Sequence, residues 1–297
     1  MSEKKRTLVI INPISGTSRK KQISDILKSK SDLSRFTFDV RYTECKGHAS
    51  VLAKEAVDNQ YDYVLAVGGD GTVNETAVSL VHTDTALGII PLGSGNGLAR
   101  HLGISTQVSK AFDVFLGGNA VNIDYCKAND TPFFCTFGMG LDAKVSEAFS
   151  KRKTRGLHSY LTGAITEYAK LKPETYIITP ENEKSFSQKA LLITCANASQ
   201  WGYNAYIAPA ASVQDGLMDT VVLLPFPFYD AAPLGIQLLT GTLDKNNYVK
   251  IIKTKQIVIE REKEGIAHVD GEPILMDKRI EIRNISGGLK ALVPRRI

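Results

Sequence analysis

Three glycine-bearing loops, each leaving the end of a short apolar run within the first hundred or so residues, restrict this chain more than any other feature. They read NPISG from Asn12 to Gly16, GGDGTVNE from Gly68 to Glu75 and PLGSGNG from Pro91 to Gly97. The runs before them, LVII (Leu8 to Ile11), YVLAV (Tyr63 to Val67) and LGII (Leu87 to Ile90), are β-rich and wholly apolar. Strands buried on both faces of a parallel sheet need that texture. The loops then share one edge of the sheet, at the carboxyl ends of the strands. There glycine lets backbone amides approach an anion, and the next helix presents its positive end. A phosphate-bearing ligand is expected.

In the middle loop, Thr72 with Glu75 three positions later reads as a capping box, which would open a helix at Thr72 with its unpaired amides facing the loop. Asp70 adds one carboxylate. It would repel bare phosphate, so it makes sense as a group that holds magnesium, orders water or contacts a hydroxyl. The chain has no GxxxxGK[ST], and GSGNG lacks the third glycine of the dinucleotide fingerprint, so neither familiar nucleotide motif applies.

A length of 297 residues implies two domains. Up to about residue 125, apolar runs alternate with helical patterns such as GHASVLAKEAVDN, as in a parallel sheet covered on both faces. Beyond that, short β-branched segments take over: YIIT (Tyr176 to Thr179), ALLITCA (Ala190 to Ala196), DTVVLL (Asp219 to Leu224), KQIVIERE (Lys255 to Glu262) and RIEIR (Arg279 to Arg283). The alternation in KQIVIERE and KRIEIR suits antiparallel strands with one wet face. The expected organisation is an α/β domain over residues 1–125 and a mainly β domain over 126–284.

No stretch is long and apolar enough to span a bilayer, and MSEKKR leads directly into a strand, so a cytoplasmic protein is expected. Cys45, Cys126, Cys135 and Cys195 form no CxxC pair and read as buried reduced thiols. A net charge of +5 without a dense basic and aromatic tract argues against nucleic-acid binding. The densest cluster, KRKTR at Lys151 to Arg155, precedes the helical pattern GLHSYLTGAITEYAKLK. It reads either as a docking site for anionic headgroups or as a solvated charge run.

Taken together, NPISG, GGDGTVNE and PLGSGNGLAR resemble the catalytic domain of the diacylglycerol kinase and sphingosine kinase superfamily, in its bacterial lipid kinase branch. FCTFGMGLDAKV, YIAPAASVQDGLMDTVVL and HVDGEP resemble that branch's second-domain signatures, so the likeness covers nearly the whole chain in order. It implies a phosphofructokinase- and NAD-kinase-like N-terminal domain, a C-terminal β-sandwich, and a tail at about 285–297 that returns to the first domain. It also implies ATP as phosphoryl donor, with contacts at Asn12, Pro13, Ser15, Gly16, Thr43, Gly68, Gly69, Asp70, Gly71, Thr72, Asn74, Glu75, Ser94 and Asn96.

Phosphoryl transfer needs an acceptor hydroxyl near a base. The residues offer Asp270 and Glu272, which flank Gly271. Their spacing puts both on one face of an extended segment, while Gly271 permits a sharp turn. The resemblance favours Glu272 as base with Asp270 in support, and Asp70 is a rival. His268, two residues before Asp270, reads as a packing or capping residue. The resemblance further implies a structural Mg2+ on the Asp215 side chain and the carbonyls of Ser212 and Leu217, weakened here because Gln214 stands where relatives carry an acid. The implied activity is transfer of the γ-phosphoryl group of ATP to a hydroxyl of diacylglycerol or a related lipid, met by peripheral contact with a membrane surface. An NAD kinase or a non-catalytic lipid or nucleotide sensor is the alternative. Oligomeric state stays open, a homodimer included.

Overall fold

A computed structural model describes residues 4–15, 23, 35–150, 166 and 172–295. It separates into two compact units, Met1–Ile123 with Gly287–Ile297, and Asp124–Ser286. Gly16, the basic cluster at 151–155 and nearly all of the helical pattern after it lie outside the described residues.

The first unit is built on a parallel sheet. β1 (Lys5–Ile11) lies between β2 (Phe36–Tyr42) and β3 (Tyr63–Gly68), and β4 (Ala86–Pro91) continues the sheet beside β3. The last part of a long C-terminal strand, Arg279–Val293, runs parallel to β4 with Ala291 opposite Leu87. All of β4, and β3 from Val64 onward, are buried, so the apolar runs are the inner strands that their composition requires. Truncating a core leucine such as Leu65 would cost about 2–5 kcal/mol, the range for leaving a cavity in a packed interior.

Helices α1 (His48–Asp58), α2 (Asp70–Leu80), α3 (Gly97–His101) and α4 (Val108–Gly117) follow the strands. α2 starts at Asp70 with Gly69 in the cap position, two residues before the expected Thr72. Thr72 is therefore already inside the first turn and cannot cap it. Glu75 instead accepts the Gly47 and Ala49 amides at 2.8 and 3.3 Å, capping the neighbouring α1, and Ser50 Oγ donates to the Glu75 carbonyl at 2.7 Å. A carboxylate at a helix N-terminus is stabilising whichever helix supplies it.

The second unit is a β-sandwich. One sheet is antiparallel and orders β12 (Val249–Thr254), β11 (Met218–Leu223), β10 (Leu192–Ala196), β7 (Thr136–Gly140), β14 (Gly265–Val269) and β15 (Glu272–Met276). The facing strands include β8 (Glu174–Pro180), β13 (Gln256–Glu260) and the first part of Arg279–Val293, again antiparallel. Phe137, Met139, Ile193 and Met218 from one sheet share a core with Tyr176, Ile178, Ile257 and Ile280 from the other. Among the described residues, α5 (Leu141–Ser150) and α6 (Ala231–Thr240) interrupt the β texture. Cys126, Cys135 and Cys195 are buried as expected, but Cys45 is exposed because it lies in the loop ahead of α1. Burial raises the Cys126 thiol and pushes Cys195 up to about 12, so both stay protonated and inert.

Candidate active site

In the first unit the three glycine loops are tied to one another at the carboxyl ends of β1, β3 and β4. The Asn12 amide donates to the Val67 carbonyl at 3.0 Å, and its side-chain Nδ2 donates to Thr72 Oγ1 at 3.1 Å. Asn12 Oδ1 accepts the Ile14 amide at 2.9 Å, which curls Asn12 to Ser15 into a turn around Pro13. Thr43, buried where β2 ends, donates its amide to the Ile11 carbonyl at 3.0 Å.

The second and third loops cross in backbone contact. The Leu92 amide donates to the Gly68 carbonyl at 2.8 Å, and a Cβ on Gly93 would stand 2.6 Å from the Gly69 Cα. Gly69 itself is extended at φ −92°, and a Cβ there would stand 3.2 Å from the Gly93 Cα, a tight fit that glycine relieves with no left-handed backbone involved. Asp70 secures the crossing: Oδ2 accepts the Asn96 amide at 2.8 Å and Oδ1 the Gly97 amide at 2.6 Å. Asn96 holds the left-handed conformation at φ 53° and donates Nδ2 to the Gly93 carbonyl at 2.8 Å.

Asp70 thus binds the start of α3. The start of α2, carrying Gly71 and Thr72 in its first turn and Asn74 just after it, presents its N-terminus at the same strand ends, with Gly71 and Ser94 exposed. Amides and a helix dipole so arranged attract phosphate. Glu75 is committed to α1, as described above.

In the second unit, Asp270 and Gly271 form the two-residue loop of the β14–β15 hairpin, closed by the pair Val269 and Glu272. Both loop residues have positive φ, 47° and 84°, as an Asp-Gly type I′ turn demands. The extended arrangement with both acids on one face therefore does not form, and the sharp turn does. Asp270 accepts the amides of Phe134, Cys135 and Thr136 at 2.9, 2.8 and 3.0 Å. Glu272 opens β15 and is exposed.

Sequence reasoning missed a buried group behind this hairpin. His268 Nε2 lies 2.8 Å from Asp142 Oδ2, an ion-pair distance without hydrogen-bond alignment, and Thr194 Oγ1 donates to the same oxygen at 2.6 Å. Asp142 sits inside the motif GMGLDAKV, but nothing local in that string announces its partner.

Asp215 accepts the Leu217 amide on Oδ1 at 3.1 Å and meets Lys253 Nζ on Oδ2 at 2.8 Å. The Leu217 carbonyl accepts Asn284 Nδ2 at 3.0 Å. Both oxygens of the one carboxylate and one of the two carbonyls implied for a structural magnesium are already engaged, and Lys253 supplies the positive charge. Magnesium demands near-octahedral oxygen geometry. The set in this arrangement does not fit it. Lys253 also pairs in register with Asp219, which burial makes harder to ionise and the Lys253 charge makes easier.

Comparison with known proteins agrees with this architecture. Residues 6–128 match the diacylglycerol kinase catalytic domain, and residues 135–280 match the YegS C-terminal NAD kinase beta sandwich-like domain. The chain is 30% identical over 262 residues to the probable lipid kinase YegS of Salmonella arizonae, covering 86% of each. It is 29% identical over 274 residues to a diacylglycerol kinase of Bacillus subtilis, covering 90% of each. The solved structure of a diacylglycerol kinase from Bacillus anthracis str. Sterne shares the fold, with a TM-score of 0.77 at 20% identity over 99% of both chains. The matched domains and these relatives place the chain in the lipid kinase family. The chain belongs to the family that joins a diacylglycerol kinase catalytic domain to a YegS-type β-sandwich.

Proposed function

We propose that the protein transfers the γ-phosphoryl group of ATP to a hydroxyl of diacylglycerol or a closely related lipid alcohol. The observation that carries this reading is the crossing of the Gly68–Thr72 and Gly93–Asn96 loops at the positive end of α2, in a chain of the lipid kinase family. The name of the B. subtilis relative supports diacylglycerol as acceptor.

ATP enters as its magnesium complex, its phosphates against the amides of Gly68 to Thr72 and the turn at Asn12 to Ser15, with Ser94 and Asn96 on the third loop. Asp70 organises this cradle through the start of α3 and does not serve as base, since both its oxygens accept amides. Glu272 takes the acceptor's proton. The hydroxyl oxygen forms the new bond to γ-phosphorus, the bond to ADP breaks, and the proton leaves on Glu272. Asp270, saturated by three amides, supports the turn.

Peripheral contact with a bilayer belongs to the same reading. Among the described residues no helix is long and apolar enough to cross a membrane. The segment leading into α6 and the outer face of that helix expose Phe228, Tyr229, Ile236 and Leu239, an apolar surface suited to the headgroup boundary.

Labelled ATP, magnesium and a total lipid extract, followed by identification of the labelled product, test the reading. A phosphatidic-acid-like product is expected. Label on NAD, offered in a parallel reaction, with none on lipid would overturn it.

A further inference from the structure

Behind the acidic hairpin lies a buried polar chain for which the proposed chemistry has no use. His268 in β14 and Asp142 in the first turn of α5 are each 1% exposed. On one side of the ring, Nε2 faces Asp142 Oδ2, the oxygen that also accepts Thr194. On the other side, the Gly271 amide donates to Nδ1 at 3.2 Å. The ring nitrogen that accepts the Gly271 amide carries no proton, so Nδ1 is bare, while Nε2 lies against the carboxylate without hydrogen-bond alignment.

Room for this pair is made by Gly138 in β7, where a Cβ would collide with both Asp142 Oδ2 and His268 Nε2. The hairpin loop is therefore pinned twice. The Asp270 side chain is held by the amides of residues 134–136, and the Gly271 amide is held by His268. Glu272 is the next residue along the chain.

We propose that His268, oriented by Asp142 and Thr194, is a positioning residue for Glu272. Its bare Nδ1 anchors the Gly271 amide and so sets the direction in which the next side chain leaves the turn. This rests on Glu272 being the acceptor base. A catalytic group displaced by about 1 Å can lose roughly a hundredfold in rate, so the anchor bears on turnover and not on ATP binding.

Two substitutions separate the two faces of the ring. In His268→Asn the side-chain oxygen replaces Nδ1 and keeps the Gly271 contact, whereas in His268→Gln the amide reaches toward Asp142 and gives up Gly271. His268→Gln should lower kcat about tenfold to a hundredfold with the KM for ATP unchanged. Amide exchange at residues 270–272 should accelerate in the same variant. His268→Asn should keep most of kcat and slow exchange at the turn.

Equal kcat in the two variants, or wild-type kcat in His268→Gln, would overturn the proposal and leave His268 a packing residue whose loss lowers the melting temperature alone. If neither variant folds, the near-isosteric Asp142→Asn replaces them. Faster exchange at 270–272 then supports the anchor and unchanged exchange overturns it. Failure of the base assignment is visible separately, because wild-type turnover in Glu272→Gln would remove Glu272 as base while the exchange experiment still reports on the anchor.

Discussion

Asp270 and Glu272 stand two residues apart and meet opposite surroundings. The Asp270 carboxylate accepts three backbone amides, charge-assisted bonds that hold it in the turn. Glu272 instead stands exposed at the head of β15. Glu272→Gln should therefore lower kcat by about 10²–10⁴-fold, the usual contribution of a general base, with little change in melting temperature. Steady-state assay beside thermal unfolding checks both halves, and turnover within a few-fold of wild type would rule Glu272 out. Asp70 behaves differently. Asp70→Asn turns an amide N–H toward a backbone N–H and loses charge in two hydrogen bonds, so it should destabilise the protein by about 1–3 kcal/mol and raise the KM for ATP. Wild-type stability with lost activity would instead indicate that Asp70 meets the metal or the nucleotide directly.

At the scale of elements, the short helix α3 ends on His101, and burial lowers the pKa of that imidazole from 6.5 to about 4. Above pH 6.5 the ring is neutral in folded and unfolded chains and contributes nothing to the pH dependence. As pH falls below 6.5 the unfolded chain takes up the proton while the folded chain does not, so stability declines. The decline levels off below about pH 4 after a loss of about 3 kcal/mol. Urea unfolding at several pH values should show this slope, and His101→Gln should flatten it. An unchanged slope in that variant would assign the effect to other groups. α1 and α2 form another such unit, joined through Glu75 and Ser50, and their link explains why a glutamate placed for a capping box caps a different helix.

For the molecule as a whole, the ion pair of Lys253 with Asp215 predicts indifference to magnesium. The melting temperature without nucleotide should be the same in EDTA and in millimolar magnesium. Lys253→Met should acquire a magnesium response of roughly 2–5 °C for each tenfold rise above the dissociation constant. A magnesium response in the wild-type chain would show that the cation displaces the lysine. The apolar surface at α6 makes a further prediction. Phe228→Ser with Ile236→Ser should weaken vesicle binding and activity on vesicle-embedded diacylglycerol, and leave activity on a short-chain soluble analogue intact. Equal losses on both substrates would point to damage of the fold.

The amino-acid sequence by itself determined the buried parallel strands, the glycine loops at their ends and the change to a β-sandwich, because hydrophobic period and glycine placement act over a few neighbouring residues. The Asp270–Gly271 turn was legible for the same reason. Only the tertiary structure decided which carboxylates are spent on backbone amides, which helix Glu75 caps, that Lys253 faces Asp215, and that Asp142 and Thr194 stand behind His268. Those outcomes depend on which donors and charges the folded chain brings within about 3 Å, the reach of a hydrogen bond, and no local pattern of residues encodes that distance.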